Sequence, residues 1–268
     1  GSMEAESPLH VALETMLRVY FLQQWFDLSD PQAEDMLYDS EAMRRFARVE
    51  LGEDTVPDES TILRFRHLLE EHQLTAAMFA AVKTLLEDQH LLLKAGTIVD
   101  ATIIAAPSST KNATKTRDPE MRQTRKGKQW YFGMKLHVGT DRRGLVHSLT
   151  TTNAAQADIT QLPQLLHGQE ATLWGDKAYY KRDDKINWEL GGGRYRVNKS
   201  GKRTAYWDAI NATRSRTRAR VEHVFHVVKR LWGFAKVRYR GLAKNTTRAY
   251  AACALANLYL VRHQLVPQ

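Results

Sequence analysis

The stretch "GTIVDATII", residues 96–104, is the point at which the hydrophobic pattern of this chain changes. Upstream of it, apolar residues recur every three to four positions. This stretch is instead rich in β-branched residues without helical spacing, and Gly96 and Pro107 bound it. We therefore predict a buried strand. Asp100 stands in its middle, where a carboxylate is costly to desolvate unless it is paired with a cation or binds a metal ion.

The segment before this strand is predicted to be helical. Amphipathic runs such as "HVALETMLRVYFLQQWF" and "STILRFRHLLEEH" follow one another, with Pro31 at a helix start and Ser40 as a helix cap. We assign residues 1–93 to a helical N-terminal module. Its first three residues, Gly-Ser-Met, resemble an expression scar and are left out of the fold reasoning.

The segment after it is predicted to be a second domain, residues 94–268, of the α+β class with a mixed sheet flanked by helices. "KQWYFGMKLHVGTD" and "GLVHSLTTTN", joined by a "DRRG" turn, indicate an antiparallel hairpin. "ATLWGDKAYY" indicates a strand that ends near Asp176. We expect an exposed loop over 107–129, a long helix from about Asn211, and a final apolar helix.

Charge is unevenly distributed along the chain. Residues 1–60 carry 4 Lys and Arg against 14 Asp and Glu, whereas residues 194–240 carry 14 against 2. This asymmetry indicates a polyanionic partner for the C-terminal part, and nucleic acid fits better than a membrane because no basic amphipathic anchor is present. The single cysteine, Cys253, excludes a disulfide framework, which indicates a cytoplasmic setting.

A third carboxylate stands in the basic stretch "RTRARVEHVFHVVKRLWG", residues 216–233. This stretch reads as a helix with one buried apolar face, formed by Val221, Val224, Phe225, Val228, Leu231 and Trp232. Glu222 lies at the edge of that face, four residues from Arg218. It is either one half of an ordinary helical ion pair or a metal ligand at the rim of an electropositive site. His223 and His226 also invite a zinc interpretation, but the Glu-His-x-x-His order differs from the zinc-protease motif and no third ligand follows.

Asp100, Asp176 and Glu222 could meet if the two strands are neighbours and the helix packs on them. Three hard oxygen ligands suit Mg²⁺ or Mn²⁺, and two such ions can support phosphodiester chemistry.

The chain resembles DDE transposases of bacterial insertion sequences, specifically the insertion-sequence-5 group of the insertion-sequence-4-like set. The resemblance rests on long segments: "MLRVYFLQQWFDLSD", "VPDESTILRFRHLLE", "TIVDATIIAAPSSTKN", "RDPEMRQTRKGKQWYFGMKLHVG" and "RARVEHVFHVVKR". It implies a ribonuclease-H-like fold with Asp100, Asp176 and Glu222 as the catalytic triad. Arg218, Glu222 and Lys229 match a Tyr-Arg-Glu-Lys signature of that set, with Ser215 in the place of the tyrosine.

The resemblance implies an enzyme that hydrolyses phosphodiesters at transposon ends and transfers the freed strand into target DNA, using two Mg²⁺ or Mn²⁺ ions. Its partners would be double-stranded DNA and further copies of itself, as a homodimer or a higher oligomer, in the bacterial cytoplasm at the nucleoid. The acidic N-terminal module would make protein contacts. Two alternatives stay open: a catalytically silent regulatory or domesticated DNA-binding protein, and a stand-alone ribonuclease-H-like nuclease.

Six cations and one aromatic residue are the predicted DNA contacts: Arg218, Lys229, Arg214, Arg220, Lys126, Lys128 and Trp130. The arginines of the long helix alternate around it, so that only some of them can face the active site. Lys229 is either a phosphate contact or a solvated side chain. Trp130, which lies among cations, is suited to stacking on unpaired bases or to packing of the hairpin.

Overall fold

The computed structural model describes residues 11–111, 115–198 and 205–265. The chain divides into two compact units, Gly1–Leu74 and Thr75–Gln268. The division precedes the fifth helix, whereas the sequence placed the boundary after it, between residues 93 and 94. The predicted boundary stays a prediction, because compactness does not show where independent folding begins. None of the described helices is long and apolar enough to cross a membrane.

The first unit contains four helices: α1 Leu13–Phe26, α2 Asp30–Asp39, α3 Glu41–Ala47 and α4 Glu59–Glu71. Three of their starts carry side-chain caps, and the sequence predicts the one at Ser40. Ser29 and Gln32 form a reciprocal capping box at α2, which has Pro31 in its first turn, and the Ser40 hydroxyl accepts from the backbone of α3. Met16, Leu37 and Phe65 pack between the helices as a fully buried core.

The second unit combines a six-stranded sheet with helices. Its strands are β1 Gly96–Ala105, β2 Arg122–Lys126, β3 Gln129–Thr140, β4 Val146–Asn153, β5 Thr172–Gly175 and β6 Arg194–Val197. Its helices are α5 Leu74–Asp88, α6 Leu162–Leu165, α7 Arg182–Leu190, α8 Ala205–Arg218, α9 Val221–His226 and α10 Leu242–Leu265.

The strand order is β2-β3-β1-β5-β6, and β4 also pairs with β3. The pairings β1–β3, β2–β3 and β3–β4 are antiparallel, whereas β5 is parallel to β1 and to β6. An antiparallel meander followed by two parallel strands, with helices between and around them, is a mixed sheet flanked by helices. The predicted α+β class with a ribonuclease-H-like arrangement is thus confirmed.

The central strand β1 is buried on both faces because helices cover both sides of the sheet. On one face Val99, Leu173 and Val197 form a cluster with α6 and the segment after β5. Along β4, the amide of Asn257 in α10 both donates to and accepts from the backbone of Val146, at 2.7 and 2.8 Å. A buried polar side chain thereby satisfies the backbone groups that it covers.

Three local expectations were wrong. The stretch 107–129 was predicted as a loop, but it contains β2; its side chains are charged and mostly exposed, so the strand lacks the alternation that reveals buried strands. The long helix was placed from about Asn211, but α8 begins at Ala205. Leu231, assigned to the buried face, is 48% exposed because a π-helical turn over Val227–Leu231 rotates it outward and buries Val227 instead.

Candidate active site

Asp100 and Asp176 lie on neighbouring parallel strands. Ile98 of β1 pairs with Trp174 of β5, so continuing the register by two residues brings Asp100 opposite Asp176. Strands in a sheet are about 4.8 Å apart and side chains alternate between the faces, so the two carboxylates leave the same face at the same level. The two strands therefore place both acids side by side.

The Asp176 carboxylate is held at the end of its strand by a local turn. Its Oδ1 accepts from the backbone N–H of Ala178 at 2.8 Å, which caps the 3₁₀ turn Lys177–Tyr179. A short polar side chain after a strand commonly begins such a turn. The turn fixes the orientation of the carboxylate without burying it completely.

Glu222 stands in the first turn of α9, which packs against β1. Val221 and Val224 are buried beneath the helix, whereas 60% of the Glu222 side chain is exposed. The apolar stripe predicted from the sequence thus places Glu222 at the edge of the packed face. Glu222 lies on the same side of the sheet as Asp100, because both carboxylates are near the same arginine side chain.

That arginine is Arg218, at the last position of α8. Its Nη1 lies 2.5 Å from Asp100 Oδ2 and 4.0 Å from Glu222 Oε1. The helical pair with Glu222 is loose, whereas the contact with Asp100 joins residues 118 positions apart. The guanidinium group therefore neutralises the buried strand carboxylate first, and Glu222 remains largely in solvent.

Burial raises the pKa of Asp100 to about 6. Arg218 and the backbone N–H of Ala101 oppose this rise, while the charges of Asp176 and Glu222 add to it. The three carboxylates are thus close enough to repel one another. Such repulsion is what a bound cation relieves.

The donor set fits a hard divalent cation, since all three groups are carboxylates. In the part of the chain that the structure describes, no three His, Cys, Asp or Glu side chains lie close enough to form a ligand cluster on their own, and this holds for Asp100, Asp176 and Glu222 as it does for the histidines of α9. The zinc interpretation of His223 and His226 therefore lacks a third ligand, and both rings are exposed on α9.

A groove of about 570 Å³ adjoins Glu222. Lys126 of β2, Lys229 and Arg230 line it together with His226, so the groove is positively charged beside the acids. Sequence reasoning missed Arg230 as a groove residue, because it faces away from the apolar stripe and nothing in its spacing distinguishes it from a solvated position.

Lys229 is anchored to β1. Its Nζ donates to the hydroxyl of Thr102 at 2.9 Å and to the carbonyl oxygen of Ile103 at 2.8 Å. Burial lowers the pKa of Lys229, and the nearby Lys126 and Arg230 lower it further. The solvated alternative for Lys229 is therefore wrong: the ammonium group is fixed at the wall of the groove.

The hairpin β2–β3 presents Trp130 to solvent with 63% of its surface exposed. The guanidinium group of Arg125 lies 6.0 Å from the centre of the indole ring, and Lys128 is exposed in the turn. Trp130 therefore contacts its cross-strand neighbour Arg125 within the hairpin while most of the ring faces solvent. Its role as a DNA contact stays a prediction.

Two family models match the chain. The one described as "Transposase DDE domain" matches residues 92–258, more than half of the chain, and the one described as "Transposase domain (DUF772)" matches residues 6–68. The chain belongs to the DDE transposase family. It is an enzyme of that class: membership implies DNA as the partner and dependence on a divalent metal ion.

A solved structure described as "Crystal structure of the Mos1 Strand Transfer Complex" is similar at 13% identity over 83% of this transposase and 80% of that chain. The TM-score of 0.23 is too low for this likeness to carry an argument.

The remaining predicted DNA contacts of the transposase lie apart from the groove. Arg214 lines a second cavity on α8, and Arg220 is exposed at the break between α8 and α9. Ser215, which replaces the signature tyrosine, accepts from the side-chain amide of Asn198 at 3.2 Å. The basic residues of α8 and of the break that follows it thus lie at two different surfaces.

Gly144, in the turn between β3 and β4, supports the start of α9. Its φ is +92°, and a Cβ added there would lie 2.6 Å from the carbonyl oxygen of Arg220. We expect Gly144→Ala to lower the free energy of unfolding by about 2–4 kcal/mol, because it adds backbone strain and pushes on the helix that carries Glu222. Chemical denaturation measures this loss.

Gly168→Ala is the matched control, since Gly168 has a φ of +85° and nothing within 4 Å of an added Cβ. It should cost about 1 kcal/mol from strain alone. Equal losses in the two variants would show that the contact with Arg220 has no effect on stability.

Proposed function

We propose that the transposase cuts the phosphodiester at transposon ends and joins the freed 3′-hydroxyl to target DNA, with Asp100, Asp176 and Glu222 as the ligands of two Mg²⁺ or Mn²⁺ ions. The observation that supports this proposal is the placement of the three acids: Asp100 on β1, Asp176 directly after the neighbouring β5, and Glu222 on the helix packed against β1, near the arginine that pairs with Asp100. Their mutual repulsion supports a role in binding cations.

Bound divalent ions would supply activation of the attacking oxygen and stabilisation of the leaving oxygen. The remaining tasks belong to the chain itself. Arg218, which lies between Asp100 and Glu222 at 2.5 and 4.0 Å, can neutralise negative charge at the scissile phosphate. Lys229, fixed by Thr102 and Ile103, offers a second positive charge at a defined place in the groove. Both steps are displacements at phosphorus, so one site can perform both.

Several finer assignments belong to the same proposal. Lys126, Lys128 and Trp130 would contact DNA beside the groove, with the exposed indole ring stacking on an unpaired base. The enzyme would act in the insertion-sequence-5 group as a homodimer or higher oligomer, with the helical module over residues 1–93 making protein contacts. Association with the bacterial nucleoid would follow from DNA binding.

The test is a cleavage and joining assay on a labelled duplex that carries the candidate element end. A second, precut duplex with a free 3′-hydroxyl tests joining separately from cleavage. We expect nicking and joining with Mg²⁺ or Mn²⁺ and neither reaction with EDTA. Cleavage without joining would identify a stand-alone nuclease, and tight binding without chemistry on either duplex would identify a regulatory DNA-binding protein.

A further inference from the structure

A second basic cavity, of about 240 Å³, lies on the second unit away from the groove. Four arginines contribute to its wall together with three threonines and one tryptophan: Arg142, Arg194, Arg196, Arg214, Thr172, Thr213, Thr217 and Trp174. None of these residues lines the groove beside Glu222. The two cavities are therefore separate sites.

The positive charge in this cavity is not neutralised by acids. Among the ion pairs of residues 11–111, 115–198 and 205–265, none includes any of the four arginines. Burial lowers the pKa of Arg214, and the neighbouring charge of Arg196 lowers it further, whereas the charge of Glu189, which forms no ion pair with Arg214, partly opposes the change. Crowded cations without a counter-ion raise the energy of the free protein, and a bound anion would lower it.

Several of the arginines are held in place before any ligand arrives. Arg214 donates through Nη1 to the carbonyl oxygen of Val197 at 2.8 Å, while its buried Nε has no hydrogen-bond partner. The guanidinium group of Arg142 lies 5.5 Å from the centre of the Trp174 ring. Because side chains alternate between the two faces of a strand, Arg194 and Arg196 of β6 lie on the same face. Such preorganisation lowers the entropic cost of binding.

The cavity offers no aromatic surface on which a base could stack. Arg142 lies over the indole ring of Trp174, which itself is only 8% exposed, so no free aromatic face remains for stacking. The three threonine hydroxyls can donate to oxygen atoms, as can the arginines. This set of donors is suited to the non-bridging oxygens of a phosphate group.

The cavity lies on the same face of the sheet as the acids. Thr172 and Trp174 precede Asp176 by four and two residues on β5, so their side chains share its face. At 3.3 Å per residue the centre of the cavity is about 10 Å from Asp176 along the strand. A DNA backbone that crosses the active site can therefore continue toward the cavity.

We propose that this four-arginine cavity binds a backbone phosphate of the transposase's DNA, separate from the phosphate that is cut. The proposal rests on the proposed function in taking DNA as the ligand. It makes the contact independent of base sequence, because the backbone phosphate is the same group at every nucleotide.

The experiment measures binding of a random-sequence duplex to the full chain by fluorescence anisotropy, without metal and over a series of salt concentrations. Arg194→Gln and Arg196→Gln are compared with Arg182→Gln, an equal change at an exposed position of α7 outside the cavity. We expect each cavity variant to weaken binding about three- to tenfold and to reduce the salt slope by about 0.9, and the control to change neither. Unchanged affinity and slope in both cavity variants would overturn the proposal.

Two further arms locate the ligand. Methylation of single backbone phosphates should weaken binding to the parent protein at one position and have no effect at that position in Arg196→Gln. Pyrophosphate should compete with DNA for the parent. If the cavity variants lose pyrophosphate binding but keep DNA affinity, the ligand is a small phosphate and the DNA assignment is wrong.

This test is separable from the test of catalysis, because it requires no metal and no chemistry. Arginine-dependent binding without any nicking of the element end would reject the proposed cleavage and retain the cavity. Nicking with cavity variants that bind like the parent would reject the cavity and retain the cleavage.

Discussion

Glu222→Gln lowers metal-dependent cleavage of an element end by about three orders of magnitude, the expected result of removing one ligand from a phosphodiester-cleaving site. Glutamine keeps the size of the side chain and its exposure at the edge of α9, so the packing of Val221 and Val224 should be unaffected. DNA binding should be equal or tighter, because a negative charge has been removed from a positively charged groove.

The comparison requires single-turnover rates at equal DNA occupancy, so that binding and chemistry are not confused. Glu189→Gln, an exposed acid of α7 paired with Lys185, is the matched control and should cleave like the parent. A Glu222→Gln protein that retains a rate within tenfold of the parent would contradict the assignment of Glu222 as a metal ligand and favour its alternative role as a surface ion-pair partner of Arg218.

The second large effect concerns Asp100 in the metal-free protein. Its pKa is raised to about 6 in the folded state, above the value of about 3.9 expected in an unfolded chain. The folded state then binds the proton more tightly. The contribution of Asp100 to stability is therefore fully present below pH 4 and is lost as the pH rises through 6, by about 3 kcal/mol.

Asp100→Asn removes this titration while keeping the side chain size. We expect the variant to match the parent at pH 4 and to exceed its free energy of unfolding by about 3 kcal/mol at pH 7.5, because a neutral amide replaces a buried charge. Mg²⁺ should raise the melting temperature of the parent at pH 7.5 and leave that of Asp100→Asn unchanged.

Denaturant unfolding from pH 4 to 8 measures the difference between the two proteins, so that contributions from other groups cancel. Asp183→Asn, an exposed acid in the first turn of α7, serves as the control and should show no such trend. A difference between parent and Asp100→Asn that is flat across this range would mean that Arg218 fully compensates for the burial of the carboxylate.

Local features of the sequence predicted the parts of the fold that depend on near neighbours. The cap at Ser40, the hairpin β3–β4 and the last helix all follow from residues within one turn or one strand of each other. Prediction from the local sequence pattern failed where an element is stabilised by a partner that is distant in the sequence. Strand β2 is charged and exposed, and its pairing with β3 supplies the hydrogen bonds that its own sequence does not predict.

The same limit applies to the site. The sequence singled out Asp100 because an acid is unusual in a buried strand, and Glu222 because an acid is unusual in a basic helix. It paired Arg218 with Glu222, four residues away, whereas the shorter contact of Arg218 is with Asp100. The four-arginine cavity was not foreseen, because Arg142, Arg194, Arg196 and Arg214 come from a turn, a strand and a helix.

Residue order by itself determined the type of each strongly periodic element, the charge asymmetry and the acids that stand in unusual surroundings, because these are properties of neighbouring positions. Only the tertiary structure decided which acids share a level of the sheet, where Arg218 donates and which arginines meet in one cavity. The physical reason is that these contacts depend on strand register and on helix packing, which are set by burial across the whole unit rather than by local sequence.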